Sequence, residues 1–394
     1  MTELQTALAT NKVDYALSDP QRLAWLRLIR SENVGPRTFR DLLNYYGSAE
    51  TALAHLPELS AKGGKTSYRL CSSQEAEQEL TALENKGARL IALGEPGYPA
   101  PLRHIDSPPP LLSVLGADLG STQNYIAIVG ARNCSAAGAK LTKTFAKSLG
   151  AQGHVVVSGL ARGIDSAAHQ ASLQTGTAAV FAGGLDVLYP PQNARLAEEI
   201  LAHNGALLTE MPLGHVPRAH DFPRRNRIVS GMSRALIVIE AAAKSGSLHT
   251  ARFALEQNRE IFAVPGSPLD PRSEGANQLL KQGAHMALCP QDILDELASP
   301  SLRQPQLAEE PEHKQLIAEE TRHTELAQNK APPPVTQEDI AQLHAALTTV
   351  PTSMDDLAAH TGIAVTRIPL ALLHLQLAGK LQRHHMETYT SMDP

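Results

Sequence analysis

The 394-residue sequence predicts an α/β protein built on a doubly wound, mainly parallel sheet, with a small helical module before it and a helix–turn–helix–strand module after it. Three observations carry that expectation. Short β-rich runs recur between about residues 85 and 298, most of them followed by an amphipathic helical stretch. The runs are almost continuously apolar, as strands covered on both faces require. At both ends of the chain the pattern changes to helical periodicity.

The elements follow in order. Residues 1–80 read as a helical module. Trp25, Leu26, Leu28 and Ile29 share one helical face, Val34-Gly35-Pro36-Arg37 is a turn signal, and a second apolar periodicity runs through Phe39, Leu42, Leu43 and Tyr46. Helix, glycine-containing turn and helix match a helix-hairpin-helix, whose turn can offer N–H groups to a phosphate. A plain helical adaptor fits the same pattern. Within residues 81–298 the strand-like runs are 89–93, 125–129, 154–158, 178–182, 206–209, 235–240, 260–264 and 284–288. Ser107-Pro108-Pro109-Pro110 precedes the main series, so the strand at 89–93 is expected as a peripheral addition. Residues 299–334 read as a flexible linker: they lack aromatic residues, are rich in glutamate and end in Pro332-Pro333-Pro334, with a short helix at 314–326. In residues 335–394, Ile340, Leu343 and Leu347 mark a helix, Ser353 is a candidate N-cap, Thr361-Gly362 is a turn, and a leucine-rich helix at 365–377 leads into a strand-like tail. This is the outline of a winged helix. Its second helix offers only Arg367 and Gln376 to a DNA groove, which points to protein contact or weak DNA contact rather than sequence readout.

Composition excludes several functions. Apolar residues make up 42%, which rules out a wholly disordered chain, and 35 Lys+Arg against 40 Asp+Glu rules out a uniformly basic surface. Cys71, Cys134 and Cys289 are far apart and form no C-x-x-C, so neither a disulfide framework nor a cysteine zinc site is expected. There is no apolar leader and no run of 18 apolar residues, and the expected location is cytoplasmic.

The candidate chemistry gathers where strands end. Gly130-Ala131-Arg132 closes one strand and a helix opens at Ser135–Gly138, an expected anion-binding turn armed with Arg132. The next strand ends in Ser158-Gly159-Leu160-Ala161-Arg162-Gly163-Ile164-Asp165, and a third in Gly183-Gly184. The ends of parallel strands lie side by side on the carboxyl edge, where ligands bind. Between residues 218 and 234, Arg218, Arg224, Arg225, Arg227 and Arg234 face one acid, Asp221, with Phe222 interleaved. This run is expected in a loop, where arginine forks grip phosphate and Phe222 stacks on a base. Lys244-Ser245-Gly246-Ser247 adds donors, and Glu240 is the one acid well placed for catalysis. No acid stands where a dinucleotide ribose needs one, since Ser158 and Gly159 are there. Gly64-Lys65-Thr66 fails as a phosphate loop because Leu59 replaces the required glycine. His169, His249, His360, His384 and His385 lack metal-ligand spacing, so no metal or cofactor is expected. Many cations along an edge suit an extended phosphate backbone better than one mononucleotide, and single-stranded DNA or RNA fits.

These segments closely resemble the DNA-processing protein A family (DprA, also called Smf). The likeness rests on Gly130-Ala131-Arg132, Ser158 to Asp165, Phe222-Pro223-Arg224-Arg225-Asn226-Arg227-Ile228-Val229-Ser230, Lys244-Ser245-Gly246-Ser247 and Val264-Pro265-Gly266, and is strong over about residues 85–290. The resemblance implies an extended Rossmann-like core with a pocket for single-stranded DNA and no catalytic role. It implies a homodimer, the protection of incoming strands in natural transformation and the loading of RecA recombinase. It assigns Arg132, Arg162, Arg224, Arg225, Asn226 and Lys244 to DNA contact. Gly130, Ser158, Gly159, Gly163, Gly183, Gly184, Phe222, Ser245 and Gly246 complete the expected site, and Leu279 and Leu280 lie in the dimer region. Two other readings stay open: an enzyme on a phosphorylated nucleoside, with Glu240 acting alone, and an adaptor that reads duplex DNA through the winged helix.

Overall fold

The computed structural model describes residues 16–298 apart from 121 and 123, and residues 335–392 apart from 385 and 386. The linker expected at 299–334, its short helix and His385 lie outside the described residues. The chain divides into two compact units, one drawn from residues 79–298, the other from residues 16–78 together with 335–392.

The first helices are α1 (Asp19–Arg30), α2 (Pro36–Tyr46), α3 (Ala49–Lys62) and α4 (Ser73–Asn85). Their limits follow from local chemistry. The Gln21 side chain accepts the Ser18 N–H at 3.0 Å before α1, and Ser48 Oγ accepts the Thr51 N–H at 3.1 Å to open α3. Pro36 starts α2 with its φ already helical, and Gly47 ends it in the left-handed region at φ 75°. Trp25 is fully buried and meets Phe39 edge-on at 5.0 Å, so the two faces read from the sequence pack on each other.

The sheet unit alternates strand and helix: β1 (Arg89–Ala92), β2 (Leu111–Gly116), β3 (Tyr125–Gly130), α5 (Ala136–Ala151), β4 (Val155–Ser158), α6 (Ile164–Ser172), β5 (Thr177–Val180), α7 (Ala194–Ala202), β6 (Ala206–Thr209), α8 (Asp221–Met232), β7 (Ala235–Ile239), α9 (Gly246–Glu256), β8 (Glu260–Ala263), α10 (Glu274–Lys281), β9 (His285–Met286) and α11 (Pro290–Ala298). The strand order is β1-β2-β6-β5-β4-β3-β7-β8-β9. From β6 to β9 all neighbours are parallel, whereas β2 runs antiparallel to both β1 and β6. The strand at 89–93 is therefore an edge addition as expected, but a second strand, β2, directly follows the proline run and joins it to the sheet. The run 218–234, expected as a loop, is mostly the helix α8. Its one proline, Pro223, and Asp221 fall in the first turn, where they are compatible with a helix start. Ile126, Ile128, Phe145, Leu149 and Ile237 form the centre of one apolar cluster, and Leu160, Phe181, Leu196 and Ile200 of another. The chain steps from β3 through β4 and β5 to β6, then crosses back to lay β7 on the other side of β3. This reversal opens a crevice at the carboxyl ends of β3 and β7.

The second unit ends in α12 (Gln337–Ala346), β10 (Thr352–Ser353), α13 (Met354–Thr361), α14 (Ile368–Leu377), β11 (Leu381–Arg383) and β12 (Thr388–Ser391). The strands form an antiparallel sheet in the order β10-β12-β11, and Ser353 caps α13 as expected. This is a winged helix, and α14 is its would-be reading helix. Eight of its ten residues are buried. One side packs on α12 and the other on α3. His374 Nδ1 donates to the Leu59 carbonyl at 2.8 Å, and Asn33 donates to the Leu377 carbonyl at 2.9 Å. Both expected groove readers are committed: Arg367 pairs with Asp339, and Gln376 donates to Thr38 Oγ1 at 2.7 Å. The duplex-reading adaptor therefore loses its reading surface to the helical module.

Candidate functional site

A cavity of about 560 Å³ opens at the reversal point. The end of β3 contributes Gly130 and Arg132, the end of β4 contributes Gly159, the start of α8 contributes Phe222, Arg225 and Asn226, and the turn before α9 contributes Lys244, Ser245 and Gly246. Strands far apart in sequence thus bring nine of the expected residues to one place. Asn226 Nδ2 donates to the Gly246 carbonyl at 3.3 Å and ties the α8 and α9 walls together.

The wall is built around Arg225. Its guanidinium is buried, and Nη1 donates to the Val180 carbonyl at 2.8 Å. It crosses the chain at Gly159, where a Cβ would stand 1.6 Å from Nη1, so no larger residue fits there. Burial, partly offset by the charge of Asp165, lowers the Arg225 pKa to about 10. Asp165 accepts the Gly159 and Ala161 N–H groups at 3.1 and 3.3 Å, and burial pushes its carboxyl up against the opposing pull of Arg225. Gly163 enters α6 at φ 77°, with the Ala131 carbonyl 2.2 Å from where a Cβ would be. The second cation of the expected pair, Arg162, is thereby presented on an exposed turn.

The backbone donors of this edge are largely taken. Asp165 holds the turn before α6. Asp221 accepts the Arg218 N–H and the His215 ring nitrogen, each at 2.8 Å, at the start of α8. At α5, Ser135 caps the helix by accepting the Gly138 N–H at 2.9 Å. Glu240 accepts the Ser135 N–H at 2.8 Å with Oε2 and the Ser135 hydroxyl with Oε1. The anion-binding turn expected at 130–138 therefore exists, but a carboxylate of the chain itself fills it.

What faces outward is cationic and aromatic. Arg132, Arg162, Arg224 and Lys244 are exposed, and among the described residues none of the four is ion-paired. The Arg132 guanidinium lies over the Phe222 ring at 5.5 Å from its centroid, and Tyr189 meets Phe222 edge-on at 5.5 Å. Tyr189 is 52% exposed and was not singled out in the sequence; an aromatic in a turn after Gly183-Gly184 was the available signal. Asn133, His249 and Arg272 also line the cavity, Arg272 held by Asp270 through two bonds of 3.0 and 2.8 Å.

Several expected residues sit elsewhere. Ser158 is fully buried and donates to the Ile128 carbonyl at 2.6 Å, so it joins strands rather than meeting a ligand. Gly183 and Gly184 are buried against residues 212–217, where the Gly184 N–H is taken by the His215 carbonyl at 3.0 Å. Arg227 is spent in a buried pair with Glu210. Leu279 and Leu280 are half-buried on α10, close in sequence to the exposed Met286 and Leu288. Among the described residues no cluster of three or more His, Cys, Asp or Glu could hold a metal, and no helix is long and apolar enough to cross a membrane.

Comparison with known proteins places this geometry. Residues 89–298 match the family described as DNA recombination-mediator protein A, residues 19–82 a DprA-like N-terminal HHH domain, and residues 327–385 a DprA winged helix domain. A protein of Synechocystis, "Protein Smf", is 34% identical over 386 residues, 92% of this chain and 97% of that protein. "DNA processing protein DprA" of Bacillus subtilis is 42% identical over 221 residues, 55% of this chain and 74% of that protein. A crystal structure of DNA processing protein A from Streptococcus pneumoniae superposes with a TM-score of 0.56 at 32% identity, covering 72% of this chain and 97% of that one.

Proposed function

The chain belongs to the DNA recombination-mediator protein A family, and from that premise we propose that it binds single-stranded DNA and acts as a recombination mediator in natural transformation. The observation that carries this reading is the reversal-point cavity lined by the exposed, unpaired Arg132 and Lys244 and by Phe222 of the Phe222–Tyr189 pair, with the exposed Arg162 and Arg224 on the turn after β4 and in the first turn of α8. Cations spaced along a sheet edge neutralise successive phosphates, and aromatic faces accept bases of any sequence. A single strand can present both phosphates and bases there.

The enzymatic alternative needs Glu240 as a free acid or base. Its carboxylate is instead bound to Ser135 on both oxygens. Together with the family, this favours mediation over catalysis. The protein works as a homodimer, for which Leu279, Leu280, Met286 and Leu288 supply an apolar edge, loads RecA onto the bound strand, and acts in the cytoplasm. Fluorescence anisotropy with a labelled oligo-dT strand and with a duplex of equal length tests the reading. It expects tighter binding to the single strand. Equal or stronger duplex binding would count against it.

A further inference from the structure

We infer that the exposed face of α5 is a phosphate track that carries a bound strand away from the cavity, with Lys140, Lys143 and Lys147 holding successive phosphodiesters. The inference rests on the single-strand reading of the cavity and extends the contact surface beyond the cavity's own lining.

Between residues 119 and 185 the chain holds five arginines and lysines, Arg132, Lys140, Lys143, Lys147 and Arg162, against one acid, Asp165. That acid is buried, so this segment of a chain of net charge −5 shows only positive charge to solvent. Residues 140, 143 and 147 share one face of α5, and all three lysines are exposed. Among the described residues none of them is ion-paired. α11 packs on α5 and is acidic, but its carboxylates are engaged within their own segment. Asp292 accepts the Leu288 and Cys289 N–H groups, Asp295 accepts Gln291 Nε2 at 2.6 Å, and Glu296 stands 4.0 Å from His285.

Neither helix formation nor packing asks for this face. Like charges three and four residues apart repel, and α5 contains no acid to offset them. The core is served by the opposite side, where Thr142, Phe145, Ala146 and Leu149 are buried. Placement ties the lysines to the cavity. α5 opens three residues after Asn133, which lines the cavity beside Arg132. Arg162 stands outside that lining, on the turn into α6, and α6 packs on α5; a strand leaving on this side passes it. From Lys140 to Lys147 the helix rises about 10 Å at 1.5 Å per residue, room for about three phosphates of a stacked strand at 3.4 Å each. The one aromatic residue of α5, Phe145, is fully buried, so the face offers charge without a stacking surface. Ammonium groups on flexible stems tolerate shifts of the phosphates they hold. The departing bases stay in water, open to pairing.

The test compares the full chain with Lys140→Gln/Lys143→Gln/Lys147→Gln, using oligo-dT strands of about 6 and about 20 nucleotides, a range that separates occupation of one site from an extended path. The variant relieves repulsion within α5 and is expected to melt no lower than the wild type. It is expected to bind the short strand within about twofold of the wild type and the long strand roughly tenfold or more weakly at low salt, with a salt slope for the long strand shallower by about 2, at roughly 0.7 per lost contact. A long strand whose flanks are abasic is expected to bind the wild type as the all-dT strand does. Lys62→Gln/Lys86→Gln/Arg195→Gln removes the same charge from other exposed positions and is expected to match the wild type. Equal long-strand affinity in wild type and α5 variant, or an equal loss with both strand lengths, would overturn the inference while leaving the single-strand reading intact. If the wild type binds neither strand, the single-strand reading itself fails and the track falls with it.

Discussion

Arg132 and Arg225 look alike in the sequence and do different work. Arg132 is exposed over Phe222, whereas Arg225 is buried under Gly159. Arg132→Ala is expected to weaken strand binding with little change in melting temperature. Arg225→Ala leaves the Val180 carbonyl without its donor, at a cost on the order of 1–3 kcal/mol, and should lower both. Thermal melts beside anisotropy separate the two, and an unchanged melting temperature for Arg225→Ala would refute the anchoring role. Gly159→Ala is expected to behave like Arg225→Ala, because its methyl group displaces the same guanidinium. Nothing in the sequence distinguished these two arginines, since burial depends on the strands that β4 and β5 place around them.

Titration at the residue scale also sets an acid limit. Burial lowers the pKa of His169 to about 3, with Arg225 adding to the effect, and lowers those of His154 and His374. The native state holds these rings neutral, whereas the unfolded chain protonates them near pH 6.5. Their contribution is therefore full above that value and is lost as pH falls, at about 1.4 kcal/mol per pH unit for each ring until its folded pKa is reached. Asp165, raised by burial, acts in the opposite sense. Melting temperatures should fall between pH 7.5 and 5.5, and His169→Gln should flatten the dependence. An equal slope in that variant would contradict this account.

At the scale of elements, the parallel strands were legible because strands covered on both faces leave continuous apolar runs, and all eight expected runs extend to within two residues of the observed strand limits. The last of them, 284–288, shrinks to the two-residue β9. β2 was missed because Pro108-Pro109-Pro110 reads as punctuation, although Leu111–Gly116 follows at once. α14 was read correctly as a poor groove reader, since a helix apolar on all sides is a buried one. What covers it was not legible, because the cover comes from α3, some 300 residues away. Gly63, at the end of α3, is the tightest point of that seam: a Cβ there would stand 2.1 Å from the His374 carbonyl oxygen. Gly63→Ala is expected to cost about 1–3 kcal/mol by overpacking and to raise amide exchange in both α3 and α14. Exchange rates unchanged in α14 would show that the seam does not hold the two together.

The whole molecule turns a chain of net charge −5 into a protein with a local cationic edge. Three helix or turn starts on that edge are closed by the chain's own Asp165, Asp221 and Glu240, so exposed side chains rather than backbone donors must carry affinity for a phosphate backbone. The most direct test is the salt dependence of oligo-dT binding in the wild type and in Arg132→Ala/Lys244→Ala. Four cation–phosphate contacts predict a slope of log K against log salt of about −3 for the wild type and about −1.4 for the double variant, at roughly −0.7 per contact. Identical slopes in the two proteins, or binding that ignores salt, would contradict the claim that these exposed cations hold the strand.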